Sequence, residues 1–123
     1  MSVHTRSQKL AQAAYARVSE HAKKDGEYVT FAKKFPALVH TCGLAQAVAF
    51  ALAKKQTLYI DDLAAVLTAG GHNAIDSATK LAEATRSERL SGYLRLSRGA
   101  IQAASWLKRY VEAAMPADDE EAA

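Results

Sequence analysis

Cysteine occurs once, as Cys42, so the chain cannot close a disulfide within itself, and this usage fits a reducing compartment such as the cytoplasm. Proline occurs twice and glycine six times in 123 residues, so little interrupts the chain. The first residues, Met-Ser-Val-His-Thr-Arg-Ser-Gln-Lys, lack the apolar run of a secretion signal. Residues 35–53 lack Asp, Glu, Lys and Arg, and 19 such residues have the length of a membrane span. Pro36, His40, Thr41 and Gln46 interrupt that stretch, and its apolar residues are largely alanine. A helix buried in a core fits it better than a membrane does.

Catalytic and metal signatures are also missing. The four histidines, His4, His21, His40 and His72, show no metal-ligand spacing. His40 and Cys42 stand in the most apolar segment, where a buried histidine and a small hydrophobic cysteine are expected. Asp61-Asp62 could hold Mg²⁺, but a helix N-terminus explains the pair with fewer assumptions. Gly70-Gly71 is followed by neither Lys-Ser nor Lys-Thr, so it is no phosphate loop. No nucleophile, base and orienting group occur together. The expectation is a protein without catalytic residues, metal, cofactor or small-molecule substrate.

What the sequence does have is alanine and helical periodicity. Half of the residues are hydrophobic, and alanine is the best helix former. Thr5 and Gln8 have capping-box spacing at the start of a first helix, and Asp25-Gly26 closes it. Leu10, Ala11, Ala14, Tyr15, Val18 and Ala22 share one side of that helix. Pro36 is read as the first turn of a new helix, with Tyr28–Lys34 a short helix before it. Residues 37–53 are apolar all round, which predicts a central helix or one shared with a partner, with Phe50 and Leu52 in the interior. A third helix is expected over Asp61–Ala69, capped by its two acids and stopped by Gly70-Gly71. A short one follows over Ser77–Ala84. Ser87 then caps a long last helix, Glu88 to Ala114, with Leu90, Tyr93, Leu94, Ile101, Ala104 and Val111 on one face. No strand-type alternation stands out. The predicted architecture is all-α: a compact bundle of about five to six helices in one domain, residues 1–115, followed by an acidic tail, 116–123, expected to be disordered.

Charge is unevenly placed. The net charge is +3, but Asp118, Asp119, Glu120 and Glu121 hold four of the 13 acids, which leaves residues 1–117 with a net +7. A body this basic attracts polyanions, most often nucleic acid. Arg6, Lys9, Arg17 and Lys24 fall within an arc of about 80° on the polar side of the first helix. Ser91, Arg95, Arg98, Gln102 and Arg109 cluster within about 60° on the last, beside Lys108. Such stripes neutralise phosphates without reading sequence; they also serve simply as solvated faces. No helix-turn-helix or RNP signature is present, so sequence-specific readout is not expected. Trp106 lies near the Arg95–Arg109 stripe, where it either packs on a further helix or marks a subunit interface.

Three stretches in order carry a family resemblance. Arg6-Ser7-Gln8-Lys9 opens the first helix. Phe35-Pro36-x-Leu38-Val39-x-Thr41-x-Gly43-Leu44-x-Gln46-Ala47-x-Ala49-Phe50 follows. Tyr93-x-x-x-Ser97-Arg98-x-Ala100-Ile101-x-x-Ala104-x-Trp106-Leu107-Lys108-Arg109 stands near the end. Together they resemble the small helical subunit of the type III-B CRISPR–Cas effector, the Cmr complex. The resemblance implies a non-enzymatic subunit, with other Cmr subunits and copies of itself as partners. It also implies stacking along the backbone filament and help in holding target RNA paired with the CRISPR RNA. Residues Arg6, Lys9, Arg17, Lys24, Arg95, Arg98, Lys108 and Arg109 are the candidates for RNA contact. A helical scaffold or adaptor that binds only protein, and a small DNA-binding protein without sequence specificity, remain the alternatives.

Overall fold

A computed structural model describes residues 4–22, 26–72 and 74–114. These residues form six helices and, among them, no strand: α1 (Arg6–His21), α2 (Gly26–Cys42), α3 (Leu44–Ala53), α4 (Thr57–Ala69), α5 (Ala78–Ser87) and α6 (Leu90–Ala114). The all-α expectation holds. The acidic tail and Lys24, both singled out above, lie outside the described residues.

α1 starts where its capping box predicts. The Thr5 hydroxyl accepts from the Gln8 N–H at 3.1 Å, and the Gln8 side chain accepts from the Thr5 N–H at 2.8 Å, so two N–H groups with no intrahelical partner are satisfied together. Leu10, Ala14, Val18 and Ala22 are buried. Tyr15, expected beside them, is 60 % exposed at the edge of the stripe.

The break near Pro36 falls elsewhere. α2 runs through Pro36 without interruption, and the chain turns at Gly43 instead. Burying Phe31, Ala32, Phe35 and Val39 on both sides of the proline outweighs the one hydrogen bond the ring removes. Gly43 has φ 85° and ψ 160°, a backbone conformation open almost only to glycine. Gly43→Ala is expected to lower stability by about 1–2 kcal/mol through that strain, read as a shifted denaturant midpoint with an unchanged slope.

The central helix is α4, not residues 37–53. Tyr59, Ile60, Leu63, Ala64, Val66 and Leu67 are all fully buried, and α1, α2, α3, α5 and α6 all pack on α4. The earlier stretch leaves an apolar flank open: Phe50 is 45 % exposed, and His40 and Cys42 are exposed rather than buried. Leu52 is half-buried against the core. The two acids lie inside α4, which begins four residues before Asp61. Asp61 still caps a helix, but a different one: its carboxylate accepts the Ala78 N–H at 2.6 Å, beside the Ser77 cap of α5. Ser87 ends α5 rather than capping α6, and its hydroxyl donates to the Glu83 carbonyl.

α6 buries Leu96, Gly99, Ala100, Ala103, Ala104, Leu107 and Val111. This stripe is turned about 80° from the face expected above, and Leu90 and Leu94 are exposed. Small residues decide the rotation. A Cβ added at Gly99 would come 2.7 Å from His72 Nε2 and 3.2 Å from Leu67, so the glycine and alanines let α6 approach α4 more closely than leucines would.

Candidate nucleic-acid interface

The fold gathers three of the predicted RNA-contacting residues around one cleft and disperses the rest. Arg6 at the start of α1, Gly70-Gly71-His72 after α4, and Arg95 and Arg98 on α6 line a cleft of about 550 Å³. Arg6 is already engaged: its Nε donates to the Gly70 carbonyl at 3.0 Å, and its guanidinium also donates to the Gln102 side chain. It ties the last carbonyls of α4 to α6, a favourable place for a cation. Arg95 and Arg98 are exposed. Glu88 reaches into the same cleft, over Gly92, and is its one carboxylate among the described lining residues.

The electrostatics of the cleft are visible at His72. Burial, and then the neighbouring Arg6 and Arg95 charges, hold this imidazole below its ordinary value. It therefore stands neutral against two guanidiniums and can offer either a donor or an acceptor. A cleft with three arginines and glycine walls suits a phosphate: Arg provides paired donors, and glycine leaves the backbone accessible.

The other predicted residues serve in different places. Lys9 is exposed on α1. Arg17 stays exposed along its side chain, with its guanidinium 3.6 Å from the buried Asp62 Oδ1. Lys108 is half-buried. Arg109 lies over the Trp106 ring, 5.9 Å from its centre, and Trp106 stacks on Tyr110 at 5.7 Å, with Tyr15 of α1 edge-on to Tyr110 at 5.5 Å. Trp106 thus joins a half-exposed ring cluster between α1 and α6, held partly by a cation–π contact.

Sequence reasoning missed a buried polar centre. Asp62 is fully buried. Its Oδ2 accepts from the Tyr28 hydroxyl at 2.6 Å, and His21 Nδ1 lies 2.7 Å from the same oxygen. Burial raises the Asp62 carboxyl above its usual range, with Tyr28, His21 and Arg17 pulling it back. Burial and the adjacent acid push Tyr28 and Tyr59 well up as phenols. The signal was an acid inside an apolar periodic run, but its partners are 34 and 41 residues away. Among the described residues, no group of three or more His, Cys, Asp or Glu side chains could hold a metal ion, and no helix is long and apolar enough to cross a membrane.

The sequence profile of the family described as "CRISPR-associated protein (Cas_Cmr5)" matches residues 6–114. The chain belongs to this Cas_Cmr5 family. It is 42 % identical over 116 residues to the CRISPR system Cmr subunit Cmr5 of Thermus thermophilus, covering 90 % of this chain and 96 % of that protein. The crystal structure of a CRISPR-associated Cmr5 family protein from Thermus thermophilus superposes with a TM-score of 0.79 at 42 % identity, covering 89 % of this chain and 97 % of that one. The Cas_Cmr5 match spans all six helices from end to end, so the cleft, the ring cluster and the Asp62 centre all lie inside the family domain. As a Cmr subunit, the chain has other Cmr subunits as partners.

Proposed function

We propose that this family member is a non-catalytic small subunit of a type III-B CRISPR (Cmr) ribonucleoprotein effector. In this reading its copies stack along the backbone filament and help hold target RNA paired with the CRISPR RNA. The observation that carries the RNA half is the cleft: Arg6, Arg95 and Arg98 come from opposite ends of the sequence yet line one opening, inside a body of net +7. Phosphate neutralisation is the mechanism, so contact is independent of base sequence and weakens steeply with salt. A single subunit supplies few contacts, and the assembled filament multiplies them.

Arg95→Ala/Arg98→Ala tests this in the reconstituted complex. Both side chains are exposed and, unlike Arg6, hold no helix–helix hydrogen bond among those described. Target-RNA affinity is expected to fall, and the salt slope to flatten by about one unit per lost phosphate contact, with assembly and Tm unchanged. Wild-type affinity together with a wild-type slope would make the cleft a solvated face and favour a protein-only scaffold. A preference for duplex DNA would favour the DNA-binding alternative.

A further inference from the structure

α2, α3 and the connection from α3 to α4 line a groove of about 1060 Å³ that shares no residue with the arginine cleft. Phe31 and Phe50 stack in it, with ring centres 6.3 Å apart, and Leu38 and Thr41 continue it along α2. Two cations border it: exposed Lys34, and Lys54, whose ammonium lies 5.6 Å from the centre of the Phe50 ring. Gly26 and Glu27 stand at one end. An apolar floor carrying a 45 % exposed phenylalanine and a cationic rim calls for an occupant that is partly apolar and acidic.

The chain contains such a segment. Residues 115–123 read Met-Pro-Ala-Asp-Asp-Glu-Glu-Ala-Ala. With four acids and one large apolar side chain, the segment has no core of its own, so any order in it has to come from a surface it lies on. The topology delivers it to the groove. α2 and α6 pack together, and the Tyr93 hydroxyl near the start of α6 accepts the Ala45 N–H at 3.0 Å, next to the end of α2. The two helices are therefore antiparallel, and Ala114 lies toward the same end of the domain as Gly26. From Ala114, four to seven extended residues place Asp118 to Glu121 about 14–24 Å away. Lys34 is eight residues along α2 from Gly26, roughly 12 Å, and packed helix axes stand about 8–10 Å apart, so Lys34 falls within that reach. The arginine cleft lies at the other end of α6: Arg98 is 16 residues back from Ala114, about 24 Å, the limit of the tail's reach.

We infer that the 115–123 segment docks in cis along the α2–α3 groove, its acids on Lys34 and Lys54 and Met115 or Ala117 toward the Phe31–Phe50 floor. Glu27 at the mouth repels the acids and sets them deeper, beside the lysines. The inference is independent of the RNA reading, since none of these residues is in the arginine cleft.

Cys42 supplies the test. It is the chain's one cysteine, is exposed, and follows Thr41 at the far end of the groove. A nitroxide on Cys42 of the ¹⁵N-labelled full chain is expected to broaden the amide signals of residues 118–121 at low salt. Intensity is expected to return in 1 M salt, where charge interactions are screened within about 3 Å, and in Lys34→Glu/Lys54→Glu. Equal tail intensities in wild type and that double variant would overturn the inference. A mixture of ¹⁵N-labelled Cys42→Ser chain with spin-labelled, unenriched chain is expected to show no broadening. Broadening there would place the tail in a second copy's groove and overturn docking in cis.

Discussion

Phe35→Ala is expected to destabilise the domain by about 3–5 kcal/mol, and Phe50→Ala by no more than about 1 kcal/mol. Phe35 is fully buried and packs its ring 5.1 Å from Tyr59 and 5.7 Å from Phe31. Truncation there removes ring contacts on several sides and leaves a cavity between α2 and α4, which those helices cannot close without moving the rest of the cluster. Phe50 touches the same cluster from outside, stacked on Phe31 with its other side open. Chemical denaturation of both variants checks the contrast. Equal losses would mean that the Phe50 face is closed in the isolated protein. The sequence alone placed Phe50 in the interior, so this pair also measures what the fold changed.

Asp62→Ala is expected to lower stability by about 3 kcal/mol, from two hydrogen bonds to a carboxyl at roughly 1.5 kcal/mol each. The fully buried Tyr28 hydroxyl loses the acceptor described above, and an unsatisfied buried donor is costly. Asp62→Asn keeps the shape and an acceptor, and resembles the neutral acid, so it is expected to be the milder change. The two variants also separate in pH dependence. Burial raises the folded Asp62 above its ordinary 3.8, so the folded chain holds a proton that the unfolded chain releases. The stability this contributes is fully present below the ordinary value and is lost as pH rises through the folded value. Denaturant midpoints measured from pH 3 to 7 are therefore expected to fall more for wild type than for Asp62→Asn. A wild-type curve that rises relative to Asp62→Asn over that window would show instead that Tyr28, His21 and Arg17 outweigh burial.

Much of the fold was legible because it rests on local rules. The Thr5–Gln8 capping box involves residues three apart, and it forms as read. Helix content followed from alanine and from the scarcity of breakers. The stop at Gly70-Gly71 needed only glycine's backbone freedom. The errors fall where a distant surface decides. Pro36 carries a real local penalty, yet packing on both sides of it keeps α2 whole, and the turn moves to Gly43. Asp61 and Asp62 look like cap residues from their neighbours, but only the fold shows that one caps α5 and the other is sealed beneath Tyr28. On α6 the large apolar residues suggested one face, and close approach to α4 selected the small-residue face instead.

The candidate site divides in the same way. The basic residues, their excess over acids and their helical spacing are properties of the sequence, because charge and a 3.6-residue repeat need no partner to be counted. Membership of the Cas_Cmr5 family was likewise legible in three ordered stretches of side chains, and the comparisons show it. Which arginines converge was decided by tertiary structure alone. Arg6 is separated by 64 residues from Gly70 and by 96 from Gln102, and no local rule links such positions. Packing α1, α4 and α6 together draws Arg6 into the cleft with Arg95 and Arg98, sets the Arg17 guanidinium beside Asp62, and leaves Lys9 in solvent. One helical stripe thus becomes three environments, because burial and distance to other charges are set by the elements packed around a residue and not by its place on its own helix.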